Sequence, residues 1–169
     1  MKSLWTPWRM EHVTGPGKPA KGCLFEPPGQ ESFSRKHLLL FRNDLCIVML
    51  NRFPYANGHL LVAPVRHVAD LTGLQALENA ALMRLMQNCC SILRAHLKPH
   101  GINIGLNLGK VAGAGVDNHL HFHIVPRWDG DHNFMTVTAE IRTIPQHIEN
   151  TFDMLLPDFQ RLLDGGETL

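Results

Sequence analysis

The sequence predicts a single α+β domain: a mostly antiparallel sheet of about five strands, one long helix and a second helix near the C-terminus. Three observations predict it. Short apolar runs bounded by turn residues follow one another in meander order. One longer segment instead repeats its apolar residues at helical spacing. The chain has 169 residues, 44% hydrophobic and 18% charged, which suits one compact domain with a core rather than two or a disordered chain.

Taken in order, residues 1–36 are rich in Gly, Pro and charge and read as an irregular arm, ordered where Trp5 and Trp8 can dock. The domain then runs over 37–164, with 165–169 a tail. HLLLFRNDLCIVMLN, 37–51, reads as two strands about a turn at Arg42-Asn43-Asp44. NRFPYANGH, 51–59, is a loop carrying Pro54 and Asn57-Gly58, and HLLVAP, 59–64, is a buried strand. Thr72-Gly-Leu-Gln75 has the form of a capping box, in which the Thr hydroxyl and Gln side chain satisfy free N–H groups. Leu74, Leu77, Ala81, Leu82, Leu85, Cys89, Ile92 and Leu93 then share a helical face, stopped by Pro99 and Gly101. INIGLNL, 102–108, reads as a strand and GKVAGAG, 109–115, as a loop. The stretch DNHLHFHIVPRW, 117–128, supplies the next strand, and 144–163 a helix opened by Pro145 in its first turn and disturbed at Pro157.

Composition narrows the function classes. The formal net charge is +1 with no block of like charges, against a nucleic-acid partner. No stretch approaches the roughly 18 apolar residues that span a bilayer, and MKSLWTPWR has no signal pattern, so no membrane is expected. Cys23, Cys46, Cys89 and Cys90 make a poor disulfide framework, which points to a reducing cytoplasm.

Three of the 11 histidines fall at alternate positions 119, 121 and 123. In a strand they share one face, while Leu120, Phe122 and Ile124 share the other and pack on the core. A polar strand face that happens to be histidine is one reading. A metal site is a second, since neutral imidazole suits zinc or iron, although no carboxylate follows within the run. The third is nucleophilic catalysis. Near pH 7 much of an imidazole population carries a free lone pair, attack on phosphorus gives a readily cleaved P–N bond, and a neighbouring imidazole can protonate the leaving oxygen.

His119-Leu-His-Phe-His-Ile-Val125 resembles the signature of the histidine triad (HIT) superfamily, and Asn51-Arg-Phe-Pro-Tyr-Ala-Asn-Gly-His59 resembles a stretch of its fragile-histidine-triad branch. WTPWRM, GLNLG and PRWDGDHNFM are similar to the diadenosine tetraphosphate phosphorylases and related hydrolases of that branch, over about 5–152. The resemblance implies the HIT fold and a nucleotide substrate. It makes His121 the nucleophile that becomes nucleotidylated, His119 the residue whose carbonyl orients it, and His123 the contact to phosphate and leaving group. His59 completes the hydrogen-bond chain, and Asn51 and Asn107 lie near the nucleotide. A homodimer or higher homo-oligomer is implied, with the Trp5/Trp8 arm adding contacts. Where many members carry Gln-Ser or Gln-Thr before the first histidine, this chain has Val116-Asp117-Asn118.

Some bacterial members hold a structural zinc through Cys-x-x-Cys, a later histidine and the first triad histidine. This chain reads Cys23-Leu-Phe-Glu26, with His67 and His119 at the other places. No metal is therefore assigned and no cofactor is required, although Glu oxygen can ligate zinc. The expected activity is cleavage of dinucleoside polyphosphates, diadenosine tetraphosphate favoured, with phosphate or water resolving the nucleotidyl-His121. A purine-nucleoside phosphoramidase, a metal-dependent hydrolase using the histidine strand, and a nucleotide-binding regulator are the alternatives.

Overall fold

The computed structural model describes residues 22–27, 29–131 and 146–165. The strands are β1 (Leu39–Arg42), β2 (Cys46–Leu50), β3 (Leu60–Pro64), β4 (Gly101–Leu106) and β5 (Phe122–Arg127), and the helices are α1 (Ala76–Leu97) and α2 (Ile148–Leu163). They form the predicted α+β architecture: one five-stranded sheet in the order β1-β2-β3-β5-β4 with every neighbouring pair antiparallel. The β1–β2 turn forms because the Asn43 side-chain oxygen accepts from the amides of Leu45 (3.0 Å) and Cys46 (2.8 Å).

CIVML and LLVAP are apolar at nearly every position because both faces of β2 and β3 are covered. One face carries Leu40, Val48, Leu50, Leu60, Val62 and Ile124 into a core closed by α1 and α2. The other carries Leu39, Ile47, Met49, Leu61 and Ala63 under a much smaller cover, centred on Phe25 of the N-terminal arm. Trp5 and Trp8, expected to dock the arm, lie outside the described residues.

The long helix starts later than its capping pattern predicts. Asp70 takes the amide and hydroxyl of Thr72, capping a short 3-10 turn at Leu71–Gly73 instead. Leu74 and Gln75 remain extended, and the real capping box joins Gln75 to Glu78. This shift rotates the first turn, so Leu77 is 72% exposed and Glu78 is buried. The buried carboxylate accepts from Arg66 Nε (2.8 Å) and Nη2 (2.7 Å), tying the segment after β3 to the helix. Lys98, in the left-handed conformation, ends α1. The second helix begins at Ile148 and not at 144, and Pro145 lies outside the described residues; α2 continues through Pro157. His96 of α1 reaches Asp158 of α2 (2.5 Å), which Arg161 also bonds. Among the described residues no helix is long and apolar enough to cross a membrane.

Candidate active site

The histidine row straddles the entrance of β5. The strand starts at Phe122, so His119 and His121 belong to the segment leading in, a correction to the expected strand over all three. The segment is fixed without ladder bonds by burial of Leu120, whose amide donates to Val68 O (2.7 Å). Ile124 enters the helix-covered core and Phe122 packs against it. The imidazoles turn to the opposite, arm-covered side, where Phe25 packs on His119 (ring centroids 5.1 Å) and His121 (5.0 Å). The alternation of faces read from the sequence is therefore present, although the regular strand is shorter.

The hydrogen bonds fix which nitrogen of each neutral ring carries its proton. His121 Nδ1 lies 2.9 Å from His119 O; a carbonyl only accepts, so Nδ1 donates and Nε2 keeps a bare lone pair. His119 Nε2 likewise donates to Pro64 O (2.8 Å), leaving its Nδ1 bare and 3.2 Å from Cys23 Sγ. His59 Nδ1 accepts from the Tyr55 amide (3.1 Å), with Asn51 Nδ2 at 3.3 Å, so its proton sits on Nε2. That Nε2–H points at His123 Nδ1, 3.0 Å away, which puts the His123 proton on Nε2. The row thus presents a bare nitrogen on His121 beside an N–H on His123, ring centroids 4.9 Å apart.

Burial is the main reason that His121 is pulled below its usual pKa, opposed by its bond to the His119 carbonyl. His119 is lowered chiefly by burial too, with the Pro64 bond opposing. Low pKa values keep both rings neutral near pH 7, the state in which a lone pair is available.

The loop 51–59 is built to hold His59. Asn51 Oδ1 accepts from the Phe53 amide (3.0 Å) while its Nδ2 faces His59, so in this arrangement Asn51 secures the loop and the ring together. Asn57 donates to Gln146 (3.2 Å) and accepts from Thr151 of α2 (3.0 Å). Gly58 has φ +73° beneath Leu97 and Leu93 of α1, a space no side chain fits. Tyr55 lies over His59 (4.7 Å) and nearly parallel to His123 (5.9 Å). Neither Tyr55 nor Phe25 was foreseen; the only sequence signal was an aromatic lodged inside each motif, NRFPYANGH and CLFE. Asn107 follows Leu106, which pairs with Phe122, and so stands at the end of β4 beside the row; its Nδ2 reaches Gly113 O at 3.5 Å.

A second group forms behind His119. The ligand atoms of Cys23, Glu26, His67 and His119 all lie within 4.8 Å of one another. Bonds to zinc of about 2.0–2.3 Å in a tetrahedron place donors roughly 3.3–3.8 Å apart, so to hold the ion the wider pairs of this set would draw in while the 2.7 Å contact of His67 with Glu26 opened. The donor types suit the ion as well. His121 and His123 take no part in the group, so among the described residues the row is not gathered into one metal cage.

A model of the HIT domain matches residues 33–130. The chain is 36% identical over 167 residues to a Mycobacterium tuberculosis protein named AP-4-A phosphorylase, covering 95% of this chain and 86% of that one. It is 33% identical over 93 residues to a Dictyostelium discoideum bis(5'-adenosyl)-triphosphatase, covering 55% of this chain and 62% of the other. The solved structure of a Zn-bound histidine triad family protein from Mycobacterium smegmatis superposes with a TM-score of 0.59 at 28% identity, covering 76% of this chain and 87% of that chain.

Proposed function

The chain belongs to the HIT domain family, and from that premise we propose that it cleaves dinucleoside polyphosphates, with diadenosine tetraphosphate favoured, through a nucleotidyl-His121 intermediate. One observation carries the reading: His121 donates Nδ1–H to its neighbour's carbonyl, which leaves Nε2 unprotonated with its lone pair available. In the first step the Nε2–P bond forms at the α-phosphorus and the bridging P–O bond breaks. The departing oxygen takes the proton from His123 Nε2, and His59, hydrogen-bonded to the other nitrogen of that ring, supports the charge change. In the second step phosphate or water returns a proton to His123 Nε2 as its oxygen bonds phosphorus, and the Nε2–P bond breaks to free His121. His119 orients the nucleophile, Asn51 holds His59, and Asn107 lies where it can reach the nucleotide.

The names of the Mycobacterium tuberculosis and Dictyostelium relatives support dinucleotide chemistry, and the long match to the former favours phosphate as acceptor. A cytoplasmic location accords with four free cysteines. A second copy of the chain is the proposed partner. Strand β4 pairs only with β5 among the described residues, and beside it Met83 and Ile104 are 57% and 49% exposed. Ile104, Phe122 and α1 residues including Met86 and Cys90 line an open groove there, which a partner's edge and helix would fill.

The test is incubation with diadenosine tetraphosphate, with and without phosphate, followed by separation of products. ADP plus ATP means phosphorolysis, AMP plus ATP hydrolysis, and a phosphoramidate cleaved far faster moves the assignment to a phosphoramidase. A His121→Asn variant that turns over at the parent rate, or dinucleotides that yield no products, would overturn the proposal.

A further inference from the structure

We propose that Gly105 sets the size of the leaving group: the strip of β4 from Asn103 to Asn107, bare at Gly105, is the seat over which a nucleoside polyphosphate departs from His123. The inference rests on the dinucleotide reading above and adds to it a place for the second nucleotide.

On three sides the His123 ring meets other rings. Centroids of His121, His59 and Tyr55 stand 4.9, 5.2 and 5.9 Å from its own. A leaving oxygen that takes the Nε2 proton must belong to a group lying against this ring, so that group needs a side without a neighbour. The side toward β4 supplies it. Gly105 is the residue directly opposite His123 in the β4–β5 ladder. Opposed residues in an antiparallel pair point to the same face with Cβ atoms about 4.5–5.5 Å apart, so a side chain at 105 would stand beside the imidazole.

Nothing in the fold asks for glycine at this place. Gly105 is exposed, lies in regular strand without a positive φ, and a Cβ built on it meets no atom within 4 Å. Gly58 is the opposite case, required by both its φ and its neighbours. A glycine inside a strand weakens it, and one that neither packing nor backbone demands marks a close approach by something else.

The flanking residues suit a phosphate chain. Alternation puts Asn103 and Gly105 on the histidine face, and Asn107 stands at the end of the strand beside the row. Asn103 Oδ1 accepts from Arg127 Nη1 (3.1 Å), which leaves the N–H groups of that amide as donors. Arg127 itself is tied to Asp131 through two bonds (2.5 and 2.9 Å), so the strip offers space and uncharged donors. Ile104 and the groove assigned above to a second copy lie on the other face of β4.

Gly105→Val and Gly105→Ala are compared with the parent and with Gly101→Val. That control lies on the same strand and face, opposite Arg127, where an added Cβ also meets nothing. A β-branched residue suits an exposed strand, so the variants should fold. Each protein is assayed for turnover of diadenosine tetraphosphate, for AMP binding by calorimetry and for mass by light scattering. AMP carries the adenylyl half without a leaving group. Gly105→Val should lower kcat/KM for the dinucleotide by about tenfold or more, and Gly105→Ala by less. AMP affinity and mass should match the parent's in both, and Gly101→Val should match it throughout. Parent-like turnover in Gly105→Val, or an equal loss in Gly101→Val, overturns the proposal. So does AMP affinity that falls in step with turnover, since Gly105 would then support the row itself. A loss that appears only with a changed oligomeric state also overturns it, because the close approach would be a partner's backbone. A parent that cleaves no dinucleotide removes the reading of function, and this proposal with it.

Discussion

Replacing Gly58 by alanine should destabilise the chain by about 2–5 kcal/mol, and the value divides into two physical parts. The first is conformational: φ at Gly58 is +73°, a left-handed setting that costs a residue with a Cβ about 1–2 kcal/mol. The second is steric. A Cβ built there meets Leu97 Cδ1 at 2.3 Å and Leu93 Cδ2 at 3.2 Å, with Pro126 Cγ at 3.6 Å. Overpacking of this kind typically adds about 1–3 kcal/mol, because α1 or the loop must shift. Gly113 is the internal control, left-handed at φ +91° with only Asn107 Nδ2, at 4.0 Å, near an added Cβ. Gly113→Ala should show the conformational part alone, about 1–2 kcal/mol. Urea unfolding of parent, Gly58→Ala and Gly113→Ala at one pH measures both. At about 2–4 °C per kcal/mol, thermal melting should drop by roughly 4–20 °C for Gly58→Ala. Equal losses for the two variants would refute the steric part, and with it the need for glycine beneath Leu93 and Leu97 of α1.

Glu78→Ala removes the capping box of α1 and the partner of Arg66, and the cap alone should cost about 1 kcal/mol at neutral pH. The hydrogen bonds from Arg66 hold the Glu78 carboxyl below its ordinary value of 4.5. Because the folded value is the lower one, the stabilisation is complete above 4.5 and fades as pH falls through the folded value, so urea midpoints of parent and variant should converge in acid. A gap that stays constant from pH 7 into the acid range counts against the pair. Tyr55→Leu should lower kcat on diadenosine tetraphosphate by about fivefold, the worth of an aromatic contact of about 1 kcal/mol. A rate equal to the parent's would remove Tyr55 from the positioning of His59 and His123. Ile104→Lys should convert a dimer to monomer by light scattering, and a parent already monomeric at micromolar concentration sinks the proposed pairing.

Much of this arrangement was written locally. The strands declared themselves as short apolar runs, and α1 by its repeat, since burial of a face leaves a periodic trace. The HIT fold and the approach of His59 to His123 followed from two motifs, although 64 positions separate the residues. What escaped depends on competition or on distant packing. Thr72-x-x-Gln75 fits a capping box, yet Asp70 captures Thr72 first. Leu77 fits the apolar stripe, yet the demand of Arg66 turns Glu78 inward in its place. Phe25 closes one side of the sheet from a segment with no periodicity to read, and Tyr55 finds its place only once both imidazoles are there.

The clamp of Asn57 between Gln146 and Thr151 bears on where the working unit ends. The family match stops at residue 130, after all four histidines, but Thr151, Phe152, Leu155 and Phe159 lie beyond it. A truncated chain cut at that boundary would keep His59, His119, His121 and His123 and forfeit the brace on the loop that aims the first of them. Swapping C-terminal segments among relatives should therefore retune His59 without altering a single residue of the motif.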